Sequence, residues 1–324
     1  MNRFISLLCT LYLTFIMSCA LAQDVVEKTM IISYDTEFGP HAFLCSDHVH
    51  DSVYIIDEQG RIRWEYSIPH PQDVWMLPNG NILMSWFQGV REVTIEKETV
   101  WEFTTPRPNE IPNCQPLPDG NVMIGVVGEC RLYEVDPALM QQVATGLPQE
   151  QAIVHTVQLA TSVAEPHAQF RMCRKTPEGT YLVPFTAEGA IREVDAAGKI
   201  LQRFADRGMP VTALRLGNGN TLINGGGLIT EYDLEQNIVW QMTQEDLPGI
   251  NLAIPAGMQY LPNGNIVVCN WNAADTEERI GAHLFEITPD KRIVWQVSGN
   301  CLGQVASCQL LNADLTPRTD EIIR

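Results

Sequence analysis

The stretch "LPNGN" at residues 77 to 81 returns unchanged at 261 to 265, with looser copies between: "LPDGN" around Pro118, "TPEGT" around Pro177 and "LGNGN" around Gly217. The steps between these turns are 40, 59, 40 and 45 residues. Asn-Gly and Asp-Gly mark hairpins, because glycine accepts the positive φ that a tight turn demands. After each turn comes a short apolar strand, "NILMS", "NVMIG", "TYLVP", "TLING" or "NIVVC". A second hairpin follows, whose far side recurs as "IDEQGRIRW", "VDAAGKILQ", "YDLEQNIVW" and "ITPDKRIVW". Four short strands repeated at this period are the pattern of β-propeller blades.

The ends complete the count. "HAFLC" at 41 to 45 reads as the second strand of a first blade that lacks a local innermost strand, and "SCQLLNAD" at 307 to 314 matches "GMQYLPNG" at 257 to 264 and supplies it. The expectation is an all-β, six-bladed β-propeller of four-stranded blades in one domain, 23 to 324, closed by N- and C-terminal strands sharing a blade, which leaves no free sheet edge in the ring. The 59-residue step is assigned to an insertion at about 137 to 165 that replaces one outer hairpin. It is either decoration or the dock for a protein partner. No amphipathic helices alternate with the strands, which excludes a TIM barrel.

Of 324 residues 45% are hydrophobic and 19% charged, a globular composition, and the formal charge of -18 opposes nucleic acid and anionic membrane surfaces. "MNRFISLLCTLYLTFIMSCALAQ" has a signal-peptide layout, with cleavage expected after residue 22. The mature chain is therefore expected in the periplasm or secreted, and a lipoprotein anchored through Cys19 is the alternative. No other stretch approaches a membrane span.

Superposed blades put Cys45 and Cys269 in one column and Cys114, Cys173 and Cys308 in another, where small apolar residues otherwise stand. These read as buried free thiols, leaving Cys130 and Cys301 as the plausible bridge formers. Trp64, Trp101, Trp240 and Trp295 recur on outermost strands as wedges between blades.

Function in a propeller is sought on the face where the loops entering the innermost strands meet those leaving the second strands. That face receives His70, Gln72, Asp73 and Trp75 from "HPQDVW", Asn113 and Gln115 from "IPNCQ", His167, Gln169, Arg171 and Arg174 from "HAQFRMCR", Asn270, Trp271 and Asn272 from "CNWN", and Trp86. An inner-strand column holds Trp75, Gln115, Arg174, Leu214, Gln259 and Gln309. Its amides either bind a polar ligand or satisfy backbone groups along the axis. Arg171 and Arg174 suit a carboxylate or sulfate, and equally suit an ordinary ion pair with Asp73 or Glu188. His70 with Asp73, and His167 with Arg171, are candidate catalytic pairs. "DHVHD" offers His48, His50 and Asp51 as secondary metal candidates.

"PQDVWMLPNGNILMS", "CQPLPDGNV", "QFRMCRKTPEGTYLV" and "MQYLPNGNIVVCNW" resemble bacterial exported propellers of the PQQ-like, six-bladed type. The resemblance implies the fold rather than an activity. Quinoprotein dehydrogenases carry an adjacent cysteine pair at the quinone, and no Cys-Cys dipeptide occurs here, so PQQ is not expected. "HPQDVWMLPNGN" is also similar to a segment of arylsulfotransferase propellers. The leading expectation is a small polar molecule or glycan bound at the channel mouth. A carbohydrate-active lyase or hydrolase, and group transfer through a histidine, are the alternatives.

Overall fold

The computed structural model describes residues 29–204, 208–318 and 322–324. Signal-peptide and lipoprotein readings fall on residues outside these. Six antiparallel sheets surround a channel. Blade one takes its inner strand from Val305–Leu311 and continues outward through Ala42–Asp47, Ser52–Ile56 and Ile62–Ser67. The register pairs Cys45 with Cys308, so the chain ends share a sheet as expected.

Blades two to five run outward in chain order. Their inner strands are Pro71–Met76, Glu110–Pro116, Arg174–Lys175 and Ala213–Arg215. Blade six starts at Ile254–Tyr260 and ends at Ile293–Gly299, against which Met30–Tyr34 adds an unforeseen fifth strand. "MIISY" belongs to no repeat, so nothing in the period announced it.

The repeated turn has a physical basis. Gly80 N donates to Leu77 O at 2.9 Å, closing a turn with proline second, and Gly80 takes φ +84°, which only glycine adopts freely. The last asparagine of the motif works across the sheet: Asn81, Asn220 and Asn265 donate to Glu92, Glu231 and Glu286 at 2.6, 2.6 and 2.5 Å.

Apolar clusters fill the gaps between blades rather than a central core. Trp64, Trp101 and Trp295 are buried within them as wedges, and Trp240 packs against one. All seven described cysteines are free thiols, and Cys130 and Cys301 form no bridge. The expected insertion contains the fourth strand of blade three, Ile153–Gln158; the true excursion is the helix Pro137–Val143 and a 3-10 turn, with Met140 packed among blades two and three. No described helix is long and apolar enough to cross a membrane.

Candidate functional site at the channel mouth

The glutamine column is a clamp between blades. Gln309 of blade one accepts from Met76 N of blade two at 2.7 Å and donates to Met76 O at 3.4 Å. Gln115 does the same to Lys175 N and O at 2.8 and 3.3 Å, and Gln259 accepts from Leu310 N at 3.1 Å and donates to Cys308 Sγ at 3.1 Å. Gln115 and Gln309 mimic a peptide and extend the backbone ladder from one inner strand to the next, whereas Gln259 meets one backbone N–H and a thiol. This is the axial satisfaction of backbone groups, and these amides are spent on it.

Arg174 is held by a carboxylate. Its guanidinium meets Asp73 through two contacts, 2.9 and 3.3 Å, and Asp73, with 0% exposure, also accepts from Ser307 Oγ at 2.8 Å and Cys114 N at 3.3 Å. This layer ties the inner strands of blades one to four together around Asp73. The His70–Asp73 pair therefore does not form: strand Pro71–Met76 carries Asp73 inward, and the His70 ring lies 3.5 Å from Asp51 instead.

Above the layer lies a cavity of about 410 Å³ whose walls are chiefly apolar: Phe87, Met172, Met209, Val211, Ile254 and Trp271. His48, Gln72, His167 and Arg171 line it as well. The His48 ring lies 4.9 Å from Trp271, 5.2 Å from Phe87 and 4.6 Å from His70. Gln72 Nε2 sits 2.8 Å from His48 Nδ1 and donates to His70 O at 3.3 Å, which makes Nδ1 the acceptor and leaves the His48 proton on Nε2. Burial, then repulsion from His70, holds the His48 imidazole below its usual range, so it stays neutral. His167 Nδ1 lies 2.8 Å from Glu110, an acceptor that fixes a proton on Nδ1. The expected His167–Arg171 pair is replaced by this one.

Burial lowers the Arg171 pKa, and the Glu110 charge opposes that shift. Its guanidinium donates to Phe170 O at 3.1 Å, and among the described residues no carboxylate stands within ion-pair distance of it. "DHVHD" splits three ways: His48 faces the cavity, His50 bonds Asp47 at 2.8 Å, and Asp51 accepts from His70 N at 2.8 Å. Among the described residues no three His, Cys, Asp or Glu side chains are grouped to hold a metal.

Four other expected ligand residues serve the scaffold. Trp86 packs in the core between blades one and two; Gln169 bridges Gly128 N and Val163 O. Asn270 ties Ala253 N to Asn251 O and Ala282 O, and Asn272 accepts from Gln304. Asn113 is buried with its amide nitrogen 3.5 Å from Met123 Sδ. Sequence reading missed Phe87, Met209, Val211 and Ile254 as walls and Glu110 as a partner. They are single loop or strand-end residues outside the repeat.

The Mal s 1 allergenic protein-like family model matches residues 38–291. The chain belongs to that family. The match gives this family and adds no support to the PQQ-like resemblance of the turn segments. A protein of unknown function from Bacteroides caccae is 26% identical, covering 83% of this chain and 98% of that one, with a TM-score of 0.73. A streptogramin B lyase structure is 12% identical over 84% and 98% of the two chains, TM-score 0.55. A catalytically inactive histidine-to-alanine variant of virginiamycin B lyase from Staphylococcus aureus, with quinupristin, is 14% identical over 84% and 99%, TM-score 0.54. At that identity the lyases share the fold alone. No functionally curated protein matches the sequence.

Proposed function

We propose that the channel-mouth cavity binds a small ligand with a flat apolar body and one anionic or carbonyl group. The carrying observation is an apolar cavity of about 410 Å³ with one guanidinium, Arg171, that meets no described carboxylate. Phe87 and Trp271 supply stacking surfaces, and Arg171 with the His48 Nε2–H supplies donors to the acceptor group. A sugar ring with a carboxylate remains within this description, whereas a uniformly polar oligosaccharide fits the apolar walls poorly. The test is calorimetry on the purified protein against small aromatic carboxylates and acidic and neutral oligosaccharides. Binding that Trp271→Ala and Arg171→Ala each weaken at least tenfold supports the reading; binding that both variants retain sinks it.

A second reading is favoured by the orientation of two histidines. With a proton held on Nδ1 by Glu110, the neutral His167 ring offers Nε2 as a base, and Gln72 fixes His48 as a neutral donor across the same cavity. Proton abstraction beside a stabilised carbonyl, lyase chemistry, needs such a pair. The likeness to structures named as lyases adds support of fold only. Turnover of a bound ligand that His167→Gln abolishes without loss of binding would establish it. Export belongs to the same proposal: N-terminal sequencing of the mature protein is expected to begin at Gln23, and an N-terminus blocked at Cys19 would replace secretion with anchoring.

A further inference from the structure

On the far side of the Asp73 layer the channel opens into a second cavity of about 670 Å³, toward the face that carries the repeated turns. Its lining includes Trp75, Gln115, Arg174, Lys175, Arg215 and Arg324, an unusual gathering of cations in a chain of charge -18. Two of them are neutralised locally: Lys175 by Glu134 at 2.5 Å and Arg215 by Glu193. Of the other two, Arg174 holds Asp73 and Arg324 is bonded to neutral acceptors.

Arg324 arrives from outside the repeat. The segment 322–324 enters the channel, with Ile323 exchanging backbone hydrogen bonds with Tyr260 at 2.9 and 3.0 Å. The Arg324 guanidinium, 8% exposed, donates to Val74 O at 2.6 Å, Cys308 O at 2.8 Å and Gln309 Oε1 at 2.8 Å. Among the described residues no carboxylate is within ion-pair distance of it. Asp73 is engaged by Arg174, itself 4% exposed. Among the described side chains, two buried guanidinium groups thus meet one buried carboxylate.

The donors give the same count. Arg174 Nε, Arg324 Nε and Trp75 Nε1 are buried without a hydrogen-bond partner, and all three side chains line this cavity. The Trp75 ring organises them, with Arg324 4.0 Å and Arg174 5.5 Å from its centroid. Unpartnered buried donors, two of them on cations, are costly unless an acceptor joins them. Two rim carboxylates, Asp119 and Glu178, are exposed, where water screens them.

We propose that this lower cavity is a second site, for a small oxyanion: a carboxylate or inorganic oxyanion that enters from the turn face and accepts from Trp75, Arg174 and Arg324. It is separate from the mouth cavity and does not depend on the reading given to it. The oxygens of such an anion match the geometry of two guanidinium groups and supply acceptors to donors that otherwise have none.

The experiment titrates the purified protein with sodium sulfate, phosphate and acetate at constant ionic strength made up with sodium chloride, following tryptophan fluorescence and calorimetry. The expected result is a saturable response to at least one of the three that Trp75→Phe loses in fluorescence and that Arg324→Gln weakens at least tenfold by calorimetry. Asp73→Asn, which removes the competing carboxylate while keeping its acceptor oxygen, is expected to tighten binding several-fold. Should Arg324→Gln fail to fold, the Asp73→Asn comparison decides alone. No saturable response to any probe, or the same affinity in Arg324→Gln or Asp73→Asn as in the unaltered protein, overturns the proposal.

Discussion

Replacing Asp73 with alanine removes the acceptor shared by the inner strands of blades one, three and four. Asp73 is fully buried and receives Arg174 through two contacts, Ser307 Oγ at 2.8 Å and Cys114 N at 3.3 Å. Asp73→Ala leaves Arg174 charged, buried and unpaired, beside a second buried cation, Arg324. Breaking a buried ion pair from one side costs about 3–5 kcal/mol. An unfolding entropy of about 2.1 cal/mol/K per residue over the described chain comes to roughly 0.6 kcal/mol/K, so the midpoint of thermal unfolding should fall by about 5–8 °C. Calorimetric scans of four proteins make the argument testable: unaltered, Asp73→Ala, Arg174→Met and the double variant. The double variant should be markedly more stable than the sum of the single losses implies, since it deletes the charge together with its partner. Additive losses, or a fall under about 2 °C in Asp73→Ala, would refute the reasoning that this pair governs the channel.

Gln309→Leu should cost about 1–3 kcal/mol, because it leaves Met76 N without its 2.7 Å acceptor at an inner-strand joint; chemical denaturation reads this directly. In Gly89→Ala the new Cβ would lie 2.4 Å from the Trp86 ring and 2.5 Å from Phe103 O, overpacking blade two by about 1–3 kcal/mol, visible as a lowered denaturation midpoint. The His48 ring should titrate below 6.5 by NMR, and His70→Ala should move its midpoint back upward, since repulsion from His70 is the second cause after burial. The sign for stability follows. A histidine whose folded pKa is depressed favours the folded state while neutral, so its contribution is present above pH 6.5 and is lost as pH falls toward the folded value.

Blade number and ring closure were legible because turn chemistry is local: a proline, an asparagine and a glycine at positive φ announce each hairpin without help from distant residues. The glutamine column was legible as a pattern but not as a role, since its partner lies on the next blade, 60 residues away for Gln115 and 233 for Gln309. Arg174 posed the same ambiguity, and the structure resolves it toward Asp73. The mouth was only half readable. Gln72, His167, Arg171 and Trp271 stand near motifs, whereas Phe87, Met209 and Ile254 come one per loop with no period to mark them. Arg324 and the strand Met30–Tyr34 lie beyond the repeat, so no alignment of blades could place them.

The shared first blade also dictates an order of assembly during synthesis. Blades two to five each comprise consecutive segments, so each can pair as its own hairpins leave the ribosome, using contacts of short sequence separation. Blade one cannot. Its strand Ala42–Asp47 is made early and waits with one edge unpaired until Val305–Leu311 emerges, some 260 residues later. Met30–Tyr34 waits equally for Ile293–Gly299. Both early strands lie at the seam where blade six meets blade one, so the nascent chain is an open arc with a sticky early end, and the segments from 293 to 311 are the ones that convert it into a ring.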